Sequence, residues 1–415
     1  MEKQLSSIER SRNIPQLRFP EFEGEWFSKK LGDISILTSS KRVYLEDYVS
    51  EGIPFFRGKE ITELKNKEKP TDILYISKER YNDFKEKYGV PKKGDILVTA
   101  VGTLGNVWMI ENSSPFYFKD GNLIWLKNIK EDSSFLEKLI QLNTKELIKT
   151  SIGSTQKALT MVELRKINLK FPQLQEQQKI ASFLTDVDDK ITKLTKKKEL
   201  LEQYKKGIMQ KIFNQELRFK DDEGNDFPEW EEKKLGEITK YYDGTHQTPN
   251  YVSEGIPFYS VEHVTANQFE KTKYISREVF EKENKRVRLE KGDILMTRIG
   301  NVGKARYIDW DVKASFYVSL ALIKQNSSFS SKYLAQYINS VPFQRELWKR
   351  IIHVAFPIKI NLGEIGKCLV QLPCVEEQTK IANFLSDIDI KIEVLNTKIE
   401  NSKSFKKGLL QKMFV

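Results

Sequence analysis

The residues best suited to phosphate chemistry are GNVGKA, at positions 300–305. A Walker A loop needs the spacing G-x-x-x-x-G-K-[ST], because its backbone N–H groups cradle the phosphates and its hydroxyl binds the metal ion. Here the two glycines are closer together, and Ala305 stands at the position of the hydroxyl. The segment is better explained as a glycine turn after a strand, which leaves Lys304 free to meet a phosphate.

A second candidate is TPNY, at positions 248–251, which faintly resembles the Asn/Asp-Pro-Pro-aromatic motif of adenine methyltransferases. That motif needs an amide or a carboxylate to accept from the amino group of adenine, and Thr248 cannot do this in the same way. The histidines at positions 246, 263 and 353 have no histidine four residues away and no nearby cysteine, which argues against a metal site. We therefore predict no catalytic and no metal-binding residue, and we interpret the chain as a binding protein.

The charge balance favours a negatively charged partner. Of 415 residues, 69 are Lys or Arg and 58 are Asp or Glu, so the formal net charge is +11. Nucleic acid is the first candidate, and a merely basic protein is the alternative.

Cys368 and Cys374 are too few for a disulfide framework or a zinc cluster. No apolar leader and no membrane-length apolar run is present, so we expect a cytoplasmic protein.

The chain carries the same segment twice. PQLQEQQKIASFLTDVDDKI at 172–191 matches PCVEEQTKIANFLSDIDIKI at 373–392, and YKKGIMQKIF at 204–213 matches FKKGLLQKMF at 405–414, all at an offset of 201. Upstream, KKLGDI, VSEGIPFF and KGDILVT recur as KKLGEI, VSEGIPFY and KGDILMT, but there the offset drifts from 204 to 198. A Leu-Arg-Phe entry followed by a tryptophan also recurs. Each half is therefore a variable region followed by a region of fixed length.

The fixed-length regions have the spacing of long helices. With Ile180 as heptad position a, about eight of the ten a and d positions are apolar in each copy, which predicts two coiled-coil helices that pack on each other. The variable regions have short aromatic and β-branched runs broken by glycines, which predict strands. We expect mixed globules with a mainly antiparallel sheet and trailing helices near 134–149 and 331–350.

The doubled P-x-x-x-E-Q-x-K-I-A-x-F-L-x-D-x-D-x-K-I motif, its K-K-G-[IL]-[ML]-Q-K-[IM]-F tail, and the paired E-G-I-P-F-[FY] and K-G-D-I-L-[VM]-T segments resemble the specificity (S) subunit of a type I restriction-modification system. The resemblance covers residues 17–415. It implies an α+β fold, in which two target recognition domains of mixed α/β structure are separated by two long antiparallel coiled-coil helices, with a pseudo-twofold internal repeat. The implied divisions are target recognition domain 1 (1–150), a central conserved spacer helix (151–215), target recognition domain 2 (216–350) and a C-terminal conserved spacer helix (351–415).

The resemblance also implies a function. Each domain reads one half of a bipartite asymmetric DNA site, and the helices set the gap and dock two modification subunits that methylate adenine with S-adenosylmethionine. Two restriction subunits add ATP-dependent translocation and Mg2+-dependent cleavage. The chain itself is expected to be non-catalytic and to hold no cofactor. The alternatives are the specificity portion of a methylase-nuclease, whose catalytic motifs would need to lie upstream, and a coiled-coil scaffold that does not bind DNA.

Polar and basic loop residues are the candidates for contacts with double-stranded DNA. In the first domain they are Ser39, Ser40, Lys41, Arg42, Arg57, Lys59 and Thr103, and the further candidates Gln156 and Lys157 stand before the first spacer helix. In the second domain they are Thr245, His246, Gln247, Thr248, Tyr259, Ser260, Arg298 and Lys304. Because the two sets differ, the half-sites should differ. At the helix starts, Gln177, Lys179, Gln378 and Lys380 are candidates for contacts with the modification subunits; helix capping is an alternative there, above all for Glu176 and Glu377.

Overall fold

The computed structural model describes residues 13–149, 151 and 157–415. The chain forms two compact units: the first contains residues up to 193 together with 399–415, and the second contains residues 194–398. Each unit consists of one mixed α/β domain and one half of each of two long helices. None of the helices described combines the length and the apolar character needed to cross a bilayer.

The first domain alternates short strands and short helices. Its elements, in chain order and up to the first long helix, are β1 (Phe27–Lys30), α1 (Leu31–Ile34), β2 (Ile36–Thr38), a 3-10 turn (Leu45–Asp47), β3 (Tyr48–Val49), β4 (Ile53–Phe56), α2 (Gly58–Lys65), β5 (Leu74–Ile76), α3 (Lys78–Lys87), β6 (Ile96–Thr99), β7 (Val107–Met109), β8 (Tyr117–Phe118), β9 (Leu123–Lys127), α4 (Ser133–Leu142), α5 (Thr144–Lys149), α6 (Met161–Lys166), β10 (Asn168–Phe171) and the long α7 (Leu174–Phe213). Ser77, Asp132 and Thr160 cap α3, α4 and α6, because each side chain accepts from a backbone N–H three residues later.

These strands form three sheets. β1 pairs with β10, one four-stranded sheet has the order β2-β9-β6-β7, and another has the order β3-β5-β4-β8. All pairs are antiparallel except β4 with β8. That pair can be parallel because the chain between its strands makes a long crossover through β5, β6 and β7. The mainly antiparallel character agrees with the prediction.

The β2-β9-β6-β7 sheet is buried on both faces. Successive residues of a strand point to opposite faces, so β6 serves two cores. Ile96 and Val98 pack in a cluster with Phe135 of α4, whereas Leu97 packs with Phe56 and Phe118 of the second sheet. The sheet is thus held between the helices on one side and the β3-β5-β4-β8 sheet on the other.

The second domain repeats this plan. Its elements are β11 (Glu231–Lys234), α8 (Leu235–Ile238), β12 (Tyr241–Asp243), β13 (Tyr251–Val252), β14 (Ile256–Tyr259), α9 (Val261–Ala266), β15 (Lys273–Ile275), α10 (Arg277–Glu283), β16 (Ile294–Thr297), β17 (Ala305–Tyr307), β18 (Ser315–Phe316), β19 (Leu320–Ile323), α11 (Ser331–Ile338), α12 (Val341–Trp348), α13 (Leu362–Gly366), β20 (Leu369–Leu372) and the long α14 (Val375–Met413). The sheets are β11-β20, β12-β19-β16-β17 and β13-β15-β14-β18, again with one parallel pair, β14 with β18.

Within the second unit, α7 and α14 pack antiparallel. Lys198 donates to Asn396 Oδ1 at 3.0 Å, and Lys205 Nζ lies 2.7 Å from each carboxylate oxygen of Asp389. Seven residues forward along α7 are therefore matched by seven residues backward along α14. Both lysines occupy d positions of the predicted heptad, where apolar residues are expected. These two polar residues of the seam instead bind side chains of the other helix.

The first unit contains the equivalent contact between the other halves of the same helices. Lys406 Nζ lies 2.5 Å from Asp188 Oδ1. Both residues stand at an offset of 201 from Lys205 and Asp389. Leu409 and Met413 of α14 pack in the same core as residues of α7 and the first domain. The repeated motif thus makes the same ion pair once in each unit.

Candidate nucleic-acid interface

Many of the residues predicted to contact DNA in the first domain lie at one end of its two four-stranded sheets. β2 and β6 run antiparallel to β9, so they end where β9 begins, at Leu123. β8 leads through a short turn into that start of β9, and its parallel neighbour β4 ends beside it, with Phe56 paired to Phe118. The segments that leave this end are 39–42, 57–59, 100–103 and 119–122, which we call the first loop edge.

Two serines anchor the first of these segments. Ser39 Oγ donates to the carbonyl oxygen of Leu123 at 3.1 Å, and Ser40 Oγ donates to that of Phe118 at 2.7 Å. Both hydroxyl protons are therefore used within the domain. In this arrangement the serines shape the loop, and the Ser39 oxygen also accepts from the N–H of Gly121 at 3.4 Å.

Lys41 and Arg42 are the exposed cations of the same segment. The Lys41 ammonium lies 4.7 Å from the ring centre of Tyr88. Arg42 Nε donates to Asp120 at 3.1 Å, and 67% of the Arg42 side chain is exposed. An exposed ion pair contributes only about 0–1 kcal/mol, so Arg42 can exchange its carboxylate for a phosphate at little cost.

Arg57 and Lys59 follow β4. Arg57 Nη2 lies 2.6 Å from Oε1 of the buried Glu60 and donates to the carbonyl oxygen of Asp72 at 3.1 Å. Burial alone would raise the pKa of Glu60, but hydrogen bonds from Arg57 outweigh it and lower that pKa. Arg57 is thus largely committed to its own domain, whereas Lys59 is exposed and reaches only the carbonyl oxygen of Thr71, at 3.4 Å.

Thr103 and Lys157 lie next to each other in the fold. Thr103 is exposed in the glycine loop after β6, where its carbonyl oxygen accepts from Thr99 Oγ1. Lys157 is exposed and comes beside this loop because Ala158 forms an antiparallel bridge with Val101. Gln156 lies outside the described residues.

The second domain presents an equivalent edge, formed by residues 244–250, 260, 298–304 and 317–319, which we call the second loop edge. Thr245 is only 7% exposed and is fixed by backbone bonds, because its N–H donates to Phe316 and its carbonyl oxygen accepts from Val318. His246, Gln247 and Thr248 are exposed. The residues of this loop that are exposed enough to contact DNA therefore begin after Thr245.

The other four candidates of the second domain differ widely in exposure. Tyr259 is 4% exposed, and burial raises the pKa of its hydroxyl. Ser260 directly precedes α9, and its backbone N–H donates to His263 Nδ1 at 2.9 Å. Arg298 is 11% exposed and donates to backbone carbonyl oxygens, whereas Lys304 is exposed. As placed, Tyr259 and Arg298 support the edge from inside, and Lys304 remains available for a phosphate.

Strand pairing shows which residues of the two edges are equivalent. Thr99 pairs with the first residue of β9 and Thr297 with the first residue of β19, so the next positions, Ala100 and Arg298, correspond. By the same pairing β2 matches β12 at an offset of 204, which makes Asp243 the equivalent of Ser39. The same backbone positions thus carry the neutral residues Ser39 and Ala100 in the first domain and the charged residues Asp243 and Arg298 in the second.

Asp243 gathers three cationic or protonatable side chains. Its carboxylate lies 2.6 Å from Arg286 Nη2, 2.8 Å from His246 Nε2 and 3.6 Å from Arg298 Nη1. Burial alone would raise the pKa of Asp243, but hydrogen bonds from Arg286 and His246 outweigh it and lower that pKa. Sequence reasoning missed Asp243 and Arg286. Asp243 is the first residue of the predicted loop DGTHQTPNY, but Arg286 is 43 residues away, and nothing in the sequence pattern joins them.

Comparison with known proteins assigns the chain to a family. The family model described as the type I restriction modification DNA specificity domain matches residues 23–203 and 228–402. The chain belongs to this family. Its two matched segments coincide with the two copies of the repeat.

The chain is also similar to one protein from Methanocaldococcus jannaschii, to one from Haemophilus influenzae and to one solved structure. This family member is 26% identical over 429 residues to a M. jannaschii protein provisionally named the MjaX specificity subunit of a type I restriction enzyme, covering 98% of this chain and 96% of that one. A H. influenzae protein, also provisionally named a type I specificity subunit, is 34% identical over 173 residues, and the match spans only 40% of each chain. The crystal structure of the type I restriction-modification S subunit from M. genitalium superposes with a TM-score of 0.65 at 17% identity, covering 97% and 99% of the two chains. The last comparison supports the predicted fold.

The doubled motif of this specificity-domain protein begins with buried polar groups. Glu176 is 1% exposed and takes two hydrogen bonds from Arg18, of 2.8 and 2.7 Å. Glu377 is 0% exposed and likewise binds Arg218, at 2.9 Å, and Trp230 Nε1, at 2.9 Å. In the recorded bonds these carboxylates bind arginines of the Leu-Arg-Phe entries and do not cap the helices.

Gln177 and Gln378 lie in the interior of their units. Gln177 donates to the carbonyl oxygen of Pro172 at 2.9 Å and accepts from the N–H of Asp132 at 3.1 Å; Gln378 has the same kind of bonds to its own unit, of 2.8 Å each. They are 0% and 2% exposed, so as placed neither side chain is accessible to a partner. Their position corrects the expectation of a surface contact, because both amides are used to tie the helix start to the preceding loop.

Lys179 and Lys380 lie at the surface of the same helix turns. Lys179 pairs with Glu21, and Lys380 lies 2.6 Å from Asp222 Oδ1. The side chains keep 46% and 26% exposure, so both remain candidates for a partner contact. Among the described residues, no group of three or more His, Cys, Asp or Glu side chains is arranged to hold a metal ion.

Proposed function

We propose that this chain is the DNA-recognition subunit of a type I restriction-modification complex and that each of its two domains reads one half of a bipartite, asymmetric DNA site. The observation that supports this best is the repeated loop edge. The same strand ends present Ser39 and Ala100 in one domain and Asp243 and Arg298 in the other. A frame that is built twice with different side chains is suited to reading two different short sequences.

Each edge offers the two kinds of group that DNA recognition needs. Exposed cations such as Lys41, Arg42 and Lys304 suit phosphates, which supply most of the affinity. Exposed polar groups such as Gln247 and Thr248 suit base edges in the major groove, where each base pair shows a distinct pattern of donors and acceptors. The excess of positive charge on the whole chain, +11, agrees with a DNA partner.

The two long helices are proposed to set the gap between the half-sites. α7 has 40 residues and α14 has 39, which corresponds to about 60 Å of helix at about 1.5 Å per residue. Two modules that read one face of a duplex must be spaced by about 34–36 Å for each helical turn. Helices of this length can meet that requirement, and a paired register that repeats at an offset of 201 would keep the gap constant.

The repeated helix segments are also proposed to dock two modification subunits, one on each copy, because a repeated surface suits two identical partners. Those subunits would methylate adenine with S-adenosylmethionine, and two restriction subunits would add cleavage driven by ATP and dependent on Mg2+. In this scheme the chain supplies recognition and no catalysis. The surfaces around Lys179 and Lys380 are the proposed contacts.

The proposal is tested by methylome sequencing of cells that express the chain together with its modification subunit. One bipartite, asymmetric motif with a fixed gap is expected. Two unrelated continuous motifs, or no motif, would contradict the proposal and favour a scaffold that ignores DNA. A parallel incubation of the purified chain with DNA and labelled S-adenosylmethionine should give no methylation; methylation without a partner would show an enzyme.

A further inference from the structure

We propose that Asp243 is a positioning residue, which holds Arg286 and His246 so that they read a G·C base pair in the half-site of the second domain. This rests on the proposed DNA-recognition function and adds a specific device to it. Asp243 is the last residue of β12, directly before the loop of the second loop edge.

The three side chains differ in exposure in a way that suits this role. The Asp243 side chain is only 12% exposed, whereas those of Arg286 and His246 are 58% and 69% exposed. Arg286 is held twice, because Nη2 donates to both the carboxylate and the backbone carbonyl oxygen of Asp243. Arg286 is therefore fixed through one terminal nitrogen, Nη2, and His246 through Nε2, which leaves Arg286 Nη1 and His246 Nδ1 for other partners.

Arg298 faces the carboxylate from the buried side. Its side chain is 11% exposed, its guanidinium donates to the carbonyl oxygens of Ile360 and Val318, and Nη1 lies 3.6 Å from the Asp243 carboxylate. A carboxylate that is itself held in place can hold other groups in place. Surface ion pairs contribute little to stability, about 0–1 kcal/mol, so fixed orientation is the main effect expected from the two exposed contacts.

The outer ends of the two exposed side chains match the edges of a G·C pair. In the part of the chain that the structure describes, no acceptor is recorded for Arg286 Nη1 and no partner for His246 Nδ1. Arginine donation to guanine O6 and N7 is the commonest base-specific contact in the major groove. Because Nη2 is used by Asp243, the two N–H groups of Nη1 form the fork that remains for guanine. If His246 donates from Nε2 to Asp243, its Nδ1 is an acceptor, which suits the amino group of the paired cytosine.

The first domain has no such device at the equivalent position. Ser39 replaces Asp243 and bonds to the carbonyl oxygen of Leu123, and Arg42 uses Asp120 of the neighbouring turn. Loss of Asp243 should therefore change one half-site and leave the other intact. A loss of folding across the whole chain would affect both half-sites, and a folding defect of the second domain alone would weaken binding without making one position degenerate.

The test uses the full chain in complex with its modification subunit, with methylome sequencing and a binding selection at one stated salt concentration. Asp243→Asn keeps the shape but loses the charge, and Arg286→Lys keeps a charge but loses the fork. Both variants should make one position of the second half-site degenerate. Affinity for the original site should fall roughly ten- to hundredfold, the size of one lost bidentate contact. The first half-site and the gap should not change.

Asp311→Asn is the matched control. Asp311 is an acid of the same domain, its side chain is 98% exposed, and its ion pair with Lys291 is long, at 3.9 Å. It should leave the motif unchanged. The inference is overturned if Asp243→Asn and Arg286→Lys both keep the complete motif, or if both weaken the two half-sites equally. Arg286 is exposed, so its variant remains informative if Asp243→Asn does not fold. If the unmodified complex gives no bipartite motif, the proposed function has failed, not this inference alone.

Discussion

The ion pair between Lys205 and Asp389 permits a sharp prediction about the long helices. The lysine side chain is 17% exposed, and its ammonium contacts both carboxylate oxygens at 2.7 Å and Gln336 Oε1 at 3.0 Å. Burial lowers the pKa of Lys205, although Asp389 acts in the opposite direction. Removal of the acid in Asp389→Ala leaves a mostly buried ammonium whose one remaining partner among the described residues is the Gln336 amide.

The expected cost lies between two limits. Breaking a fully buried ion pair costs about 3–5 kcal/mol, and breaking an exposed one costs about 0–1 kcal/mol. Asp389 is 44% exposed, so the pair is intermediate. We expect Asp389→Ala to lower the free energy of unfolding by about 2 kcal/mol.

The opposite substitution should behave differently. Lys205 occupies a d position, where an apolar side chain would pack in the helix seam, so Lys205→Met removes the buried charge and adds apolar packing. Replacement of a buried charge by an apolar group of similar volume is often neutral or stabilising. We expect Lys205→Met to be within about 1 kcal/mol of the unmodified protein and to rescue most of the loss when combined with Asp389→Ala.

Urea unfolding of the full chain, followed by circular dichroism, measures all three variants. Asp188→Ala is the matched variant in the first unit, because Asp188 pairs with Lys406 at 2.5 Å and with Lys138 at 3.5 Å. It should be destabilised to a similar degree. The reasoning is refuted if Asp389→Ala stays within about 0.5 kcal/mol of the unmodified protein, or if Lys205→Met costs as much as Asp389→Ala.

Three further predictions follow from single sites. Glu137 is half-buried on α4 and accepts from the N–H of Met109 at 3.0 Å, and desolvation raises its pKa. Because its folded pKa lies above the unfolded value, its contribution to stability is present at acid pH and is lost as the pH rises through the folded pKa. Glu137→Gln should therefore raise the melting temperature at pH 7 and lose this advantage at acid pH; thermal scans at both pH values check it, and an equal effect at both would contradict it. Arg18→Met leaves Glu176 buried without its cation and should cost about 3–5 kcal/mol in urea unfolding; a change below about 1 kcal/mol would show that Glu176 does not depend on Arg18. Arg42→Ala should weaken DNA binding without changing the recognised motif and should reduce the slope of log affinity against log salt by about one; binding titrations over a salt series check it, and an altered motif would show a base contact instead.

The sequence predicted the architecture well because the repeat could be compared with itself. Positions that keep the offset of 201 proved to be the long helices, and positions whose offset drifts proved to be the domains with their short strands. Periodicity also located the helix seam. The lysines in that seam appeared as exceptions to the pattern, because heptad spacing cannot show that Asp389 comes from the other helix to meet Lys205.

The candidate interface was predicted less completely. Glycine turns and strand ends pointed to loops that lie together at one end of the sheets, since such loops leave a sheet at its ends. Burial could not be read from the loop sequences, so Thr245, Tyr259 and Arg298 were not separated from exposed neighbours such as His246. Contacts between distant segments were also missed, and the pair formed by Asp243 and Arg286 is the clearest case.

The division between fixed and variable positions also separates two physical tasks. Polar residues of the doubled motif are largely used inside each unit: Glu176 by Arg18, Gln177 by the backbone, and Asp188 by Lys406. None of these contacts involves the loop edges. Side chains at the edges can therefore change without disturbing the helix register, and the register can stay constant while recognition changes. Under the proposed function, such a chain would acquire a new half-site by substitution at positions such as Asp243, whereas a substitution at Asp389 would act on stability.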